Sequence, residues 1–438
     1  MFGYYFDLAL RSFKRNKALT ALMVIAIALG IGASMTTLTV FYILSGDPLP
    51  GRSQTLFYPQ LDAANMDEFT PGEEPEDQMT RYDAETLLGQ HRGDRQALMK
   101  RGNLLVKPLG AELDSFSADA RYTSADFFAM FGAPFLYGNG WGQAEDNARS
   151  RIAVISKPLN DKLFGGENSV GKTVRLNDND FRVVGVLADW RPTPKFYDIY
   201  GGLYGEIEQV FLPFSTSRDL KLDVAGRMHC WGNDDVEDDP DGPTGISAPC
   251  AWVQYWVQLD TPDKARAYQQ YLSNYSDQQR AAGRYARPTN VRLRNLTQWL
   301  DHNKVVPGDV RLQVWLAFGF LLVCLLNTSG LLLAKFLRRS SEIGVRRALG
   351  ASRRAIFAQY LVEAGVIGLA GGILGLGVAL LGLWAVRHRA ASYAELAQLD
   401  PVMLITTFVL AIAASMLAGM LPAIRACQVA PAIQLKTQ

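Results

Sequence analysis

The sequence is short of the residues from which catalytic and metal centres are built. Its 438 residues hold four histidines, His91, His229, His302 and His388, and four cysteines, all scattered, with no H-E-x-x-H or C-x-x-C spacing. Zinc sites and zinc proteases need ligands grouped at such intervals, so no metal site is expected. No G-x-S-x-G nucleophile elbow is present. The net charge is +1, which gives no global field to draw nucleic acid or an acidic substrate. Internal repeats and low-complexity tracts are also absent. The expectation is a non-catalytic chain that binds no cofactor of its own.

Uncharged apolar sequence, by contrast, is abundant. Four runs carry no Asp, Glu, Lys or Arg: Ala18–Leu44 with 27 residues, Leu312–Ala334 with 23, Ala364–Val386 with 23 and Pro401–Ile424 with 24. A helix needs roughly 20 residues to cross the hydrocarbon core. The spacing predicts transmembrane helices over 18–44, 312–334, 355–386 and 401–424. The first run is too long for a cleaved signal peptide and is expected to stay as an anchor.

Basic residues orient the spans. Residues 1–17, read as a cytoplasmic amphipathic N-terminus, carry Arg11, Lys14, Arg15 and Lys17 against Asp7 alone. The segment 335–354 carries seven basic residues against Glu342. In the short loop 387–400, Arg387 and Arg389 are balanced by Glu395 and Asp400. The expected topology places 1–17, 335–354 and the tail 425–438 in the cytoplasm. Residues 45–311 and 387–400 then lie outside.

The external stretch mixes strand signals with helix signals. Strands are expected around Leu105, in Ile152–Ile155, on both sides of "NDND", and in the alternating "WVQYWVQL" from Trp252 to Leu259. Helices are expected after Ser124 and over the long run from Asp263. That order predicts an α+β domain inserted between the first and second of four transmembrane helices. Trp190, Phe196, Tyr197, Tyr200 and Tyr204 form an aromatic run that either packs a loop onto the domain or faces a hydrophobic substrate.

Within this domain, "GENSVGKT" (Gly166–Thr173) matches G-x-x-x-x-G-K-[ST], and Asp189 could pass for a magnesium-holding acid. A phosphate cradle needs a strand entering the loop and a helix leaving it. Here Ile152–Ile155 is followed by a short helical segment with Pro158, and Lys172 is followed by a hairpin pattern. The local order is strand, helix, turn, hairpin, and the expected side is extracytoplasmic, where ATP is not supplied. The match is read as a turn. Cys230 and Cys250 lie in the same oxidising setting and are expected to pair. The loop they enclose holds Glu237-x-Asp239-x-Asp241-Gly242, half of an EF-hand pattern whose bidentate position is Ala248.

The sharpest signal is the segment Glu342, Ile343, Gly344, Val345, Arg346, Arg347, Ala348, Leu349, Gly350 and Ala351. It reads as a short basic amphipathic helix held at the membrane face, suited to docking a soluble partner. In the membrane runs, Gly368 with Gly372 and Gly371 with Gly375 make small-xxx-small faces, and Ala26, Gly30 and Ser34 make another. Glu363 lies at the boundary of the third span and is expected to pair with nearby arginines rather than touch substrate.

At these motifs the chain resembles the FtsX-like permeases of ABC transporters, in the MacB branch. The E-I-G-x-R-x-A-x-G-A pattern falls on Glu342 to Ala351, and the family's C-terminal pattern on Pro422, Ala423, Arg425, Ala426, Pro431 and Leu435. "YTSADFFAMFGAPFLYGNGW" and the stretch from Ile152 to Trp190 resemble the MacB periplasmic core. The resemblance implies a permease in the bacterial inner membrane with its large domain in the periplasm. It implies two partner ATPase subunits docked on 342–351, which hold the ATP and magnesium, and a second permease, either the same chain or a related one. The fused N-terminal ATPase of MacB is not in this sequence, so the ATPase is expected on another polypeptide. Motion of the external domain would drive export or extraction of a peptide, antibiotic, siderophore or lipid-linked cargo, with a periplasmic adaptor and outer-membrane channel as further expected partners. The other reading is an FtsX-like signalling protein that regulates a cell-wall hydrolase or sensor.

Overall fold

The computed structural model describes residues 5, 8, 12, 17–67, 69–108, 114–232, 241–306, 308–388, 396 and 401–427, and the side chains of 340, 341, 343 and 348 lie outside that description. The expectations for 1–17, 387–400 and 428–438 therefore fall almost wholly outside the described residues. Two compact units are present, Gly46–Val305 and the residues on either side of it.

The outer unit is built on one sheet of 13 strands. In chain order these are β1 (Leu56–Leu61), β2 (Met79–Thr80), β3 (Arg95–Lys107), β4 (Phe116–Thr123), β5 (Phe135–Gly138), β6 (Ile152–Ile155) and β7 (Thr173–Leu176). They continue with β8 (Asn179–Leu187), β9 (Val210–Pro213), β10 (Val224–Ala225), β11 (His229–Cys230), β12 (Cys250–Gln258) and β13 (Val291–Asn295). The main path runs β13-β1-β12-β3-β4-β9-β6-β8-β5. Pairing is antiparallel except between β4 and β9 and between β6 and β8.

Both faces of the sheet are covered. Leu98, Tyr122, Trp252, Tyr255 and Val257 enter one apolar core, while Ala97, Met99, Trp256, Phe127 and Phe131 enter a second on the opposite face. Successive side chains of a strand point to opposite faces, so Tyr255, Trp256 and Val257 of β12 alternate between the two cores. The polar position at the centre of β12 therefore does not mark a solvent face. Gln254 is 4% exposed and is bonded to Arg121 and Asp198. Helices are set by local capping: Ser156 Oγ accepts from the Leu159 N–H at 3.4 Å, and Thr261 caps Pro262–Ala281 by accepting from Lys264 N–H at 3.3 Å. Each satisfies one orphan donor of a first turn.

The second unit contains helices Lys17–Ser45, Gly308–Leu337, Ser340–Ala348, Arg353–Arg387 and Pro401–Cys427 among the described residues. All but the short one are long and apolar enough to cross a membrane. The helices extend beyond the uncharged runs; the second begins at Gly308, four residues before Leu312. The first packs against the second and third, and the fourth packs against the same two. The chain is thus a membrane protein with four transmembrane helices and a large extracytoplasmic domain inserted between the first two.

Candidate coupling site

The loop between the second and third spans folds because its sequence is locally consistent. Glu342 occupies the first turn of Ser340–Ala348, and Arg346 and Arg347 the last, the arrangement that complements the helix dipole. Glu342 and Arg346, four residues apart, pair at 2.8 Å, and Arg346 also donates to Gln359 Oε1 on the third span at 3.0 Å. Gly350 reverses the chain at φ +99°, where a side chain would be strained. Ser352 then caps the next helix by accepting from the Ala355 N–H at 3.2 Å.

This brace leaves apolar groups in the open. Val345 is 55% exposed and Leu349 is 82% exposed, and residues four apart share a helix face. Gly344, Arg346 and Arg347 are half-buried, while Glu342 and Gly350 are exposed. Ala351 packs at the edge of the membrane-helix core. The side chains of Ile343 and Ala348 lie outside the described residues.

Beneath the segment lies a polar cluster. Lys335 Nζ sits 2.8 Å from Glu363 Oε1, and both side chains are buried. Arg339 reaches the other carboxylate oxygen at 3.9 Å, Ser12 donates to Glu363, and Lys335 donates to Thr20 Oγ1 at 3.4 Å. The expectation of arginine partners for Glu363 is corrected in emphasis: a lysine one span away is the close partner. The rings of Phe336 and Tyr360, tilted by 37° with 4.0 Å between centroids, flank the pair.

The expected small-residue faces lie at helix crossings. A Cβ on Gly368 would fall 1.9 Å from Ser415 Oγ, and one on Gly372 2.8 Å from Ala411 Cβ, both on the fourth span. Gly371 and Gly375 instead abut the first span, at Ile27 Cγ2 (2.6 Å) and Ala28 O (3.2 Å). Gly30 faces the second span at Leu321 and Cys324. Gly32, Gly382 and Gly419 make equally tight crossings and were not expected. For Gly419 a signal existed, since Ser415, Gly419 and Ala423 recur at intervals of four.

In the outer unit, Gly166–Thr173 leads into a strand. Helix Lys157–Phe164 precedes it, β7 begins at Thr173, and no helix follows. The Gly171 N–H donates to Val183 O at 2.8 Å and the Lys172 N–H to Ser169 O at 2.9 Å. Lys172 pairs with Glu167 at 3.5 Å, and Asp189 with Lys157 at 2.8 Å. The backbone donors at the end of the motif thus close a turn. Cys230 and Cys250 form a disulfide across the register of β11 and β12. Of the half EF-hand, Glu237 and Asp239 lie outside the described residues, while Asp241 pairs with Lys221 at 2.8 Å.

Phe196, Tyr197 and Tyr204 are buried, and Trp190 stacks on Tyr197, so these members of the aromatic run pack the loop onto the domain, while Tyr200 is exposed. The packing surrounds a charge cluster that sequence reasoning missed. Arg121, fully buried, binds both Asp198 and Glu208 at 2.5 Å, and Lys195 joins Glu208 at 3.3 Å. Burial pushes both carboxyls up, but the Arg121 charge and hydrogen bonds outweigh it and hold them below the usual carboxylate range. Two cations and two anions balance, which makes such deep burial tolerable.

The MacB-like periplasmic core domain family matches residues 20–275, and the FtsX-like permease C-terminal family matches 314–431. The chain belongs to the MacB/FtsX-like permeases. A relative in Azoarcus sp. (strain BH72), the macrolide export ATP-binding/permease protein MacB, is 24% identical over 442 residues, covering 98% of this chain and 59% of the relative. The pyoverdine export ATP-binding/permease protein PvdT of Pseudomonas entomophila (strain L48) is 24% identical over 258 residues, covering 58% of this chain and 34% of that protein. This permease thus spans well under two thirds of the length of either. Among solved structures, the periplasmic region of MacB from Actinobacillus actinomycetemcomitans aligns with a TM-score of 0.36 at 14% identity, covering 59% of this chain and 96% of that one.

Proposed function

We propose that this chain is the permease subunit of an ABC transporter whose external domain is moved by ATP hydrolysis in a partner. The observation that carries the reading is the braced helix Ser340–Ala348, with Val345 and Leu349 exposed on one face. Exposed apolar groups set among arginines mark an interaction surface, and this one is tied directly to the third span through Arg346 and Gln359. A docked ATPase that rocks this helix would pull on the span and, through it, on the rest of the membrane unit. The ATP and magnesium belong to that partner.

The direction of work is export or extraction. In support, both relatives named above carry "export" in their names, and the match to the periplasmic core family takes in most of the external domain. The cargo class is a peptide, antibiotic, siderophore or lipid-linked molecule, taken from the outer face of the inner membrane with an adaptor and an outer-membrane channel. The tight glycine crossings favour a closely packed helix bundle as a lever rather than a wide pore. The test is purification of the tagged chain in mild detergent followed by native mass spectrometry. Two ATPase subunits with two permeases support the reading, and the masses separate a homodimer from a heterodimer. A chain that emerges with only a hydrolase or receptor, or alone, overturns it.

A further inference from the structure

Two clefts of about 600 and 490 Å³ open side by side in the external domain, and both are lined by Arg81, Arg218, Lys221 and Asp241. Such volumes fall in the range of small-ligand pockets, roughly 300–1,000 Å³. Three of the four shared residues are cations. Arg81 is held by Glu85 at 2.6 Å and donates to Thr244 O at 3.1 Å. Lys221 is held by Asp241 at 2.8 Å.

Arg218 differs from both. It is 9% exposed, its guanidinium lies 5.4 Å from the centroid of Trp252 and 5.9 Å from that of Tyr122, and its hydrogen bonds go to neutral oxygens, Leu222 O and Ser217 Oγ. No carboxylate among the described residues pairs with it. Burial pushes its guanidinium down to about 10. Asp241 and Glu85 act on it only at a distance, and a buried cation without a directly bonded counter-charge is unfavourable. A carboxylate placed in the cleft would offset it at close range.

We propose that this cleft is a binding site for a small carboxylate-bearing ligand, such as an acidic peptide, which sets its carboxylate against Arg218, Arg81 and Lys221. Asp241 already supplies one carboxylate at this cluster, within 2.8 Å of Lys221 and 4.0 Å of Arg81. It lies in the loop closed by Cys230–Cys250. The resident group is a competitor of the same chemistry, and it lines both clefts.

The test is calorimetric titration of the full chain in detergent with triglutamate, with trilysine and inorganic phosphate as comparison probes. Triglutamate is expected to bind saturably and trilysine not to bind. R218M should weaken triglutamate about tenfold or more, as loss of a charge-assisted bond does. K221A, at an exposed side chain, should weaken it roughly two- to fivefold, and D241N should tighten it by a similar factor. If R218M does not fold, the opposed effects of K221A and D241N still decide the matter. No triglutamate binding, equal binding of trilysine, binding of phosphate alone, or indifference to both K221A and D241N would each overturn the assignment. No ATPase is needed, so this site and the transport reading stand or fall separately.

Discussion

Lys335 on the second span and Glu363 on the third form a buried ion pair at 2.8 Å, close to where the chain leaves the bundle for the helix Ser340–Ala348. Each charge is offset there at close range by the other. Removing one partner should therefore cost far more than removing both. E363A is expected to destabilise the membrane unit by about 3–5 kcal/mol, and the double variant K335M/E363L to recover most of that loss. Thermal unfolding in detergent reads the difference. Equal losses for the single and double variants would show that the pair is not the stabilising unit.

The third span carries glycines that face neighbours and glycines that do not, which gives an internal control. A Cβ on Gly368 meets Ser415 Oγ at 1.9 Å, whereas a Cβ on Gly377 meets nothing within 4 Å. G368A should cost about 1–3 kcal/mol by overpacking. G377A should be neutral or stabilising, by up to about 1 kcal/mol from helix propensity. Unfolding midpoints of the two variants, measured side by side, check the contrast, and a harmless G368A would mean the crossing has more room than these distances give.

If Val345 and Leu349 form the docking face, charging them should separate binding from folding. Both are exposed, and surface substitutions rarely change stability by more than about 0.5 kcal/mol. V345E/L349E is expected to leave the unfolding midpoint in place while cutting co-purified ATPase by tenfold or more. Retention of the ATPase at wild-type levels would move the docking surface elsewhere.

The sequence revealed elements whose cause is local. Charge-free runs announce the spans, and the Pro158, "NDND" and Lys172 environment announces a turn rather than a phosphate cradle. Interactions that join distant segments were not legible. Arg121 meets partners 77 and 87 residues away, and a charge in mid-strand reads as outward-facing until the second layer over the sheet is known. Lys335 stands 28 positions from Glu363, and the sequence pointed to arginines, of which Arg339 does pair at 3.9 Å, but not to the closer lysine at 2.8 Å. The basic cleft escaped for the same reason, since Arg81, Arg218 and Asp241 belong to separate segments joined only by the fold.

The external domain should carry a pH signature at Asp146. Its carboxyl accepts from Trp141 Nε1 at 2.9 Å and from the Ala125 N–H at 2.7 Å, yet burial outweighs both and pushes its pKa up to about 6. Between about pH 4 and 6 the folded state then holds a proton that the unfolded state has released. Stability falls with rising pH wherever the folded state binds more protons. The contribution is full below the unfolded value near 4, declines as pH rises to 6 and is level above that, a change of roughly 3 kcal/mol at 1.36 kcal/mol per unit. D146N cannot titrate and should lack this slope. The wild-type minus D146N difference in unfolding free energy, followed from pH 4.5 to 7.5 so that other groups cancel, should drop through that window. A flat difference would place the Asp146 carboxyl at its ordinary pKa, with solvent reaching it.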